Sequence, residues 1–329
     1  MSSFSLPAFR PHPLVRGGHA QTLAAYFWPG TAEYSATHHQ VPLEDGDTIV
    51  LHDDSPPGWQ PGHRVALLMP GLAGCHGSGY LVRTAAKLNA RGVRTFRMDQ
   101  RGWGAGSGLA EHPFHAGRSG DVLAALEFLS ELCPDSPLAV IGFSLSGNVT
   151  LKFLGEFPNR VPRLERAAAL TPPINLSACA DWMERSTNRF YNRFLTGCLI
   201  QHLKENNRPL PEKNGQSDDS PKTLREFDDR YTAPAAGFDS ADQYYSECSS
   251  GPLLSKINIP TLIVVAEDDP MIPISSFADV PLSSDVHLHV SKSGGHLGFI
   301  SRGGLDPDRR WLDWRIVDWI TAEPLPTVC

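Results

Sequence analysis

Apolar positions along the chain first alternate with polar ones, then gather into short unbroken runs. Residues 40–43 and 48–53 flank Glu44-Asp45-Gly46-Asp47. An Asp-Gly turn between alternating segments predicts a β-hairpin. From residue 65 the rhythm changes. Residues 65–69, 93–98, 138–143 and 167–170 read as buried strands, and 80–89, 121–132 and 148–157 as helices. In the second helix Val122, Leu123, Leu126, Leu129 and Leu132 share one face. Short apolar strands alternating with helices predict a mostly parallel sheet flanked by helices, an α/β fold.

The alternation stops for about 80 residues after Ile174. Within that break, 188–203 carries Phe190, Tyr191, Phe194, Leu195, Cys198 and Leu199 on one stripe, an amphipathic helix. Residues 212–229 are acidic and polar and read as loop-rich. Strands resume at 259–266 and 286–290, and 311–320 reads as a closing helix. The expectation is one structural domain. Its core is 37–173 and 251–329, its helical cap insert is 174–250, and residues 1–36 form an N-terminal arm with a short helix at 19–27.

Composition changes this picture little. The 29 Gly and 28 Pro of 329 residues fall below the level of low-complexity sequence. A net charge of −7 with no dominant basic stretch argues against a nucleic-acid partner. The six cysteines form no CxxC pair and read as thiols of a reducing compartment. The start lacks a basic region followed by an apolar run, and the longest uncharged apolar region is interrupted by four glycines and Pro70. A soluble cytoplasmic protein without an integral membrane segment is expected. Its oligomeric state is left open.

The candidate chemistry sits where strands end. Leu138-Ala139-Val140-Ile141-Gly142-Phe143-Ser144-Leu145-Ser146-Gly147-Asn148 places Ser144 at a strand-to-helix junction. Such a junction forms a nucleophile elbow when its flanking positions are small. Gly142 fits, and Ser146 stands where a second glycine is usual. A serine nucleophile needs a base, and the base needs an orienting acid. The strand 259–266 runs into Glu267-Asp268-Asp269-Pro270, and 286–290 runs into Ser293-Gly294-Gly295-His296. The order Ser144, Asp269, His296 matches the chain order of an elbow serine with its acid and base. Glu267, Asp268 and Asp269 compete for the place of the acid; the Pro-x-Ile-Pro that follows favours Asp269, with Asp268 second. The oxyanion donors are expected from the amides of Leu145 and of Leu72, with Ala73 next, in Pro70-Gly71-Leu72-Ala73-Gly74.

Other motifs lead nowhere comparable. Gly102-Trp103-Gly104-Ala105-Gly106 lacks the spacing of a phosphate loop. His38-His39, His287-x-His289 and His112-x-x-His115 have too little support from other ligand types to make a metal site. Cys75 and His76 read as loop residues. No cofactor is expected. The insert's aromatic helix reads as amphipathic core, with a lid that touches a lipid surface as the alternative.

At these residues the chain resembles the YheT-like branch of the α/β-hydrolase superfamily, which also contains the ABHD lipases and the fungal medium-chain ethyl-ester synthases. The resemblance rests on His19-Ala20-Gln21-Thr22, Gly71-Leu72-Ala73-Gly74, Arg101-Gly102-Trp103-Gly104, His115-Ala116-Gly117, Gly142-Phe143-Ser144-Leu145, Phe227-Asp228-Asp229, Tyr244-Tyr245, Asp268-Asp269-Pro270 and Gly294-Gly295-His296. It implies the α/β-hydrolase fold, Ser144 as nucleophile, Asp269 as acid and His296 as base. Two positions depart from the family pattern: Pro70 replaces a usual His, and Ser146 replaces the second elbow glycine. The expected activity is serine-dependent hydrolysis of a carboxylic ester, with short- to medium-chain acyl esters or acylglycerols as the small-molecule substrate. Acyl transfer to an alcohol through the same acyl-enzyme, or a non-catalytic binding protein on a hydrolase scaffold, are the alternatives. A haloalkane dehalogenase or epoxide hydrolase would need a carboxylate where Ser144 stands.

Overall fold

The computed structural model describes residues 6–28, 30, 34–209 and 220–323. Eight strands form one sheet in the order β1-β2-β4-β3-β5-β6-β7-β8. They are β1 (Thr37–Pro42), β2 (Thr48–Asp54), β3 (Val65–Met69), β4 (Arg94–Asp99), β5 (Leu138–Phe143), β6 (Leu164–Leu170), β7 (Thr261–Ala266) and β8 (Val286–Ser291). β1 and β2 make the antiparallel hairpin expected around Asp45-Gly46, with Gly46 at φ 89°. β2 also runs antiparallel to β4, and every other pairing is parallel.

Alternate residues of the central strands feed two cores. Val65, Leu67 and Met69 point to one face, where α3 (Ser119–Leu132) and α4 (Leu145–Glu156) cover them with Val122, Leu126, Leu129, Val149 and Phe153. Ala66 and Leu68 point to the other face. There α2 (Gly79–Asn89) and α10 (Trp311–Thr321) supply Leu81, Leu88, Trp311, Ile316 and Trp319. Burial on both faces is why β3, β5 and β7 read as unbroken apolar runs.

A short helix precedes the sheet, α1 (Gly18–Phe27). Between β6 and β7 the chain forms α5 (Leu176–Glu184), α6 (Arg189–Glu205), α7 (Leu224–Phe227), α8 (Ala233–Ala235) and α9 (Ala241–Cys248). The stretch read as loop-rich is irregular over 220–223 and helical from Leu224 on. α7 passes through a π-helical turn, Asp228–Thr232, into α8. Thr223 caps α7 by accepting from the Glu226 amide at 3.2 Å, and Phe227 is buried. The acidic side chains therefore line a helix whose apolar face packs inward. Residues 212–219 of that stretch lie outside the described residues. So do 1–5, 29 and 31–33 of the expected arm.

Candidate active site

Ser144 sits at the tip of β5 with φ 52° and ψ −119°, a conformation rarely taken by a residue with a side chain. Its amide donates to Leu170 O at 2.8 Å, and its carbonyl accepts from Gly147 N at 2.8 Å. Gly142 makes the bend feasible. A Cβ there would lie 2.3 Å from both Ser146 O and Thr150 Oγ1. The strained backbone and the close return of α4 lift the Ser144 hydroxyl clear of the sheet.

His296 Nε2 lies 2.8 Å from Ser144 Oγ, and His296 Nδ1 lies 2.9 Å from Asp269 Oδ2. Asp269 and His296 are both buried. The other carboxylate oxygen, Asp269 Oδ1, accepts from the amides of Met271 at 2.7 Å and Ile272 at 3.0 Å. A carboxylate only accepts, so Nδ1 carries the proton and Nε2 faces the serine as an acceptor. Asp268 points elsewhere. Its Oδ1 accepts from Gly295 N at 2.9 Å, and burial pushes its carboxyl above the usual range. Of the adjacent acids, Asp269 reaches the imidazole and Asp268 fastens the loop that carries it.

The Pro70–Gly74 loop crosses beside the serine. A Cβ on Gly71 would meet Ser144 Cβ at 3.0 Å. Gly71 N donates to the Tyr80 hydroxyl at 2.9 Å, and Ala73 takes φ 61°. Burial pushes the Tyr80 phenol up to about 12, so it stays protonated. Leu72 and Leu145 both border the same cleft as Ser144.

The two departures from the family pattern touch each other. Ser146 is fully buried. Its hydroxyl donates to Pro70 O at 2.5 Å and accepts from Gln100 Nε2 at 2.6 Å. Ser146 therefore ties the first turn of α4 to the start of the Gly71–Gly74 loop. Ser146→Ala is expected to leave two buried polar groups poorly paired. The cost is about 1–3 kcal/mol of stability, a few degrees in a thermal melt, without loss of reactivity at Ser144.

Above the serine lies a cleft of about 1160 Å³, counted out to its open mouth. Its walls include Leu176, Ala180 and Met183 of α5 and Leu195, Leu199 and Leu203 of α6. Burial pushes His202 down to about 4 and His115 down to about 3, the latter helped by Arg118 and Arg101. His115 and His202 are thus neutral at pH 7. Asp228 is pushed up to about 6 by burial, against the opposing hydrogen bonds from Thr232 and Tyr245.

Among the described residues, two groups have donor atoms close enough for a cation. Asp45, Asp47 and His112 form one, but Arg101 already donates to Asp45 at 2.6 Å and to Asp47 at 2.5 Å, which supplies the positive charge. His52, His76 and Asp99 form the other. Both imidazoles converge on Asp99 Oδ2, at 2.8 and 2.7 Å, in a buried network that pins His76 to the sheet. His76 is thus the loop residue expected. Cys75, Cys133, Cys179, Cys198 and Cys248 are free thiols, and Cys329 lies outside the described residues.

Residues that spacing alone did not single out complete the surroundings. Gln100 and Tyr80 hold the loop beside the serine. Thr22 accepts from the backbone amide of His296 at 2.9 Å, from 274 residues away in sequence. No local periodicity could signal a contact that distant.

The comparisons agree with this architecture. The family profile described as α/β hydrolase fold matches residues 66–302. The Escherichia coli (strain K12) protein named "Putative esterase YheT" is 31% identical over 310 residues, covering 92% of this chain and 90% of that one. Phospholipase ABHD3 of Mus musculus is 30% identical over 241 residues. The match covers 71% of this chain but only 58% of that longer protein. Among solved structures, 2,6-dihydroxy-pseudo-oxynicotine hydrolase superposes with a TM-score of 0.60 at 18% identity, over 93% of this chain and 74% of that one. Est1E of Butyrivibrio proteoclasticus does so with a TM-score of 0.55 at 14% identity, over 86% of this chain and 97% of that one. A mostly parallel eight-stranded sheet, a serine at the tip of β5 and a relative of nearly full length together show that the chain belongs to the YheT-like branch of the α/β-hydrolase family.

Proposed function

We propose that this protein is a serine-dependent carboxylic ester hydrolase working through an acyl-enzyme. One observation carries the reading: His296 bridges Ser144 and Asp269 at 2.8 and 2.9 Å, and Ser144 lines a largely apolar cleft. His296 takes the Ser144 proton as Oγ attacks the ester carbonyl. Asp269 holds the Nδ1–H tautomer and stabilises the imidazolium. The Leu72 and Leu145 amides receive the tetrahedral oxyanion. His296 then protonates the leaving alcohol and later activates water. The same acyl-enzyme yields a transferred ester if an alcohol reaches it first.

The walls support a substrate class. Leucines and Met183 accept an acyl chain, and neutral His115 and His202 do not oppose it. We assign short- to medium-chain acyl esters or acylglycerols, with residues 174–250 acting as the cap. A series of nitrophenyl esters of increasing chain length, run with and without added ethanol, tests this. Turnover that rises with chain length to a medium-chain optimum supports the assignment. Uniform absence of turnover with no probe labelling supports the non-catalytic alternative instead.

The cap also offers a surface for lipid. Among the described residues, no helix is long and apolar enough to cross a membrane. Yet Tyr26, Phe27 and Trp28 at the end of α1, with Phe190 and Phe194 of α6, are all exposed. Tyr26 touches both Phe27 and Phe194 edge-on. The exposed Arg189 and Arg193 lie on the same helix. Aromatic rings beside arginines suit the headgroup region of a bilayer with anionic lipid. Replacing Phe190 and Phe194 together with serine is expected to weaken sedimentation with phosphatidylglycerol vesicles about tenfold. Turnover of a water-soluble ester should stay unchanged. Equal sedimentation of both proteins would remove this surface from the account.

A further inference from the structure

The arm carries His19-Ala20-Gln21-Thr22, a motif the proposed chemistry leaves unused. Its turn of α1 lies against both loops that supply the base and the acid. Thr22 Oγ1 accepts from His296 N at 2.9 Å and donates to Gly18 O at 2.8 Å. The fully buried Gln21 side chain engages both backbone groups of Ile300. Its Oε1 accepts from Ile300 N at 2.7 Å, and its Nε2 donates to Ile300 O at 3.2 Å and to Val15 O at 2.6 Å. On the acid side, a Cβ on Gly18 would lie 1.6 Å from Asp268 O, so the helix backbone rests directly on that loop.

The segment being held needs holding. Leu297 at φ 56° and Phe299 at φ 45° are side-chain-bearing residues in left-handed backbone. Such conformations persist only where the surroundings over-determine them. The same helical turn reaches the cleft wall. His19 Nδ1 lies 3.0 Å from the Tyr191 hydroxyl, and the two rings stack at 5.6 Å and 13°. Tyr191 is on α6, whose Leu195 and Leu199 line the cleft.

We infer that the Gly18–Thr22 turn is a positioning element for catalysis: Thr22, through the His296 amide, fixes the imidazole over Ser144, and Gln21 keeps the strained loop in place. The inference rests on the reading of His296 as the base. It explains why the base's backbone, in a turn outside the eight strands of the sheet, is anchored by an element from the other end of the chain. A displacement of the imidazole by about 1 Å is enough to slow such a reaction by about 10²-fold.

The test compares Thr22→Val, Thr22→Ala and Thr22→Ser with the wild-type chain. Turnover of nitrophenyl butyrate and the rate constant of fluorophosphonate labelling are measured per folded molecule. Valine and alanine remove the acceptor, and alanine serves if valine does not fold. Either is expected to lower kcat and the labelling rate constant about 10²-fold with KM nearly unchanged. Serine keeps the acceptor and should stay near wild type. Wild-type rates in Thr22→Val or Thr22→Ala would overturn the inference, as would a Thr22→Ser loss as large as theirs. A wild-type protein that neither labels nor turns over would instead contradict the esterase reading beneath it.

Discussion

Replacing Ser144 with alanine is expected to remove ester hydrolysis almost completely, by about 10⁶-fold in kcat. In the proposed mechanism this hydroxyl forms the acyl bond, and no neighbour is placed to take over. Ser146 is the nearest rival in sequence, but its hydroxyl is buried and committed to Pro70 O and Gln100 Nε2. Residual activity would come from carbonyl polarisation by the Leu72 and Leu145 amides alone. The alanine protein should fold normally, since Ser144 uses its backbone for the structural hydrogen bonds to Leu170 and Gly147. Hydrolysis measured with a medium-chain nitrophenyl ester checks the result. Activity within tenfold of wild type would place the nucleophile elsewhere.

Asp269→Asn is expected to cost about 10⁴-fold in kcat with little change in KM. The reason lies in the partners of the two carboxylate oxygens. The Met271 and Ile272 amides both donate to Oδ1 and require an oxygen there. The amide nitrogen of an asparagine must then occupy the Oδ2 position, facing His296 Nδ1. Nδ1 becomes the acceptor, the proton moves to Nε2, and the ring can no longer take the serine proton. Asp268→Asn makes the control. Its side chain accepts from the Gly295 amide, which an asparagine oxygen still does, so the loss should be small. A larger loss in Asp268→Asn than in Asp269→Asn would reverse the assignment of the acid.

The sheet was legible because its strands are buried on both faces. The unbroken run Leu138–Phe143 could be bounded to the residue. Helix starts were harder. α4 begins at Leu145, three residues before the polar pattern suggested, because Ser146 and Gly147 have the composition of a loop. The return of the helix onto Gly142 overrides that propensity. The acidic 212–229 stretch reads as loop-rich for the opposite reason, although its described part is helical from Leu224 on. Its charges hid the single buried stripe of Leu224, Phe227 and Thr232.

The candidate site divides along similar lines. Ser144 and His296 stood out because each follows an apolar strand and lies in a small-residue turn. Choosing between Asp268 and Asp269 required the direction of two adjacent side chains, which composition does not encode. The contacts of Thr22 with His296 and of Ser146 with Pro70 were invisible, since both join segments far apart in sequence. They emerge only when the loops at the strand ends are brought together.

The central claim is that Ser144 is a nucleophile activated by His296. The most direct measurement is peptide mapping by mass spectrometry after reaction of the intact protein with a fluorophosphonate. The account predicts one adduct, on the peptide containing Ser144, and no adduct in His296→Ala under the same brief exposure. An adduct on another residue, or ester turnover that continues with Ser144 unmodified, would contradict it.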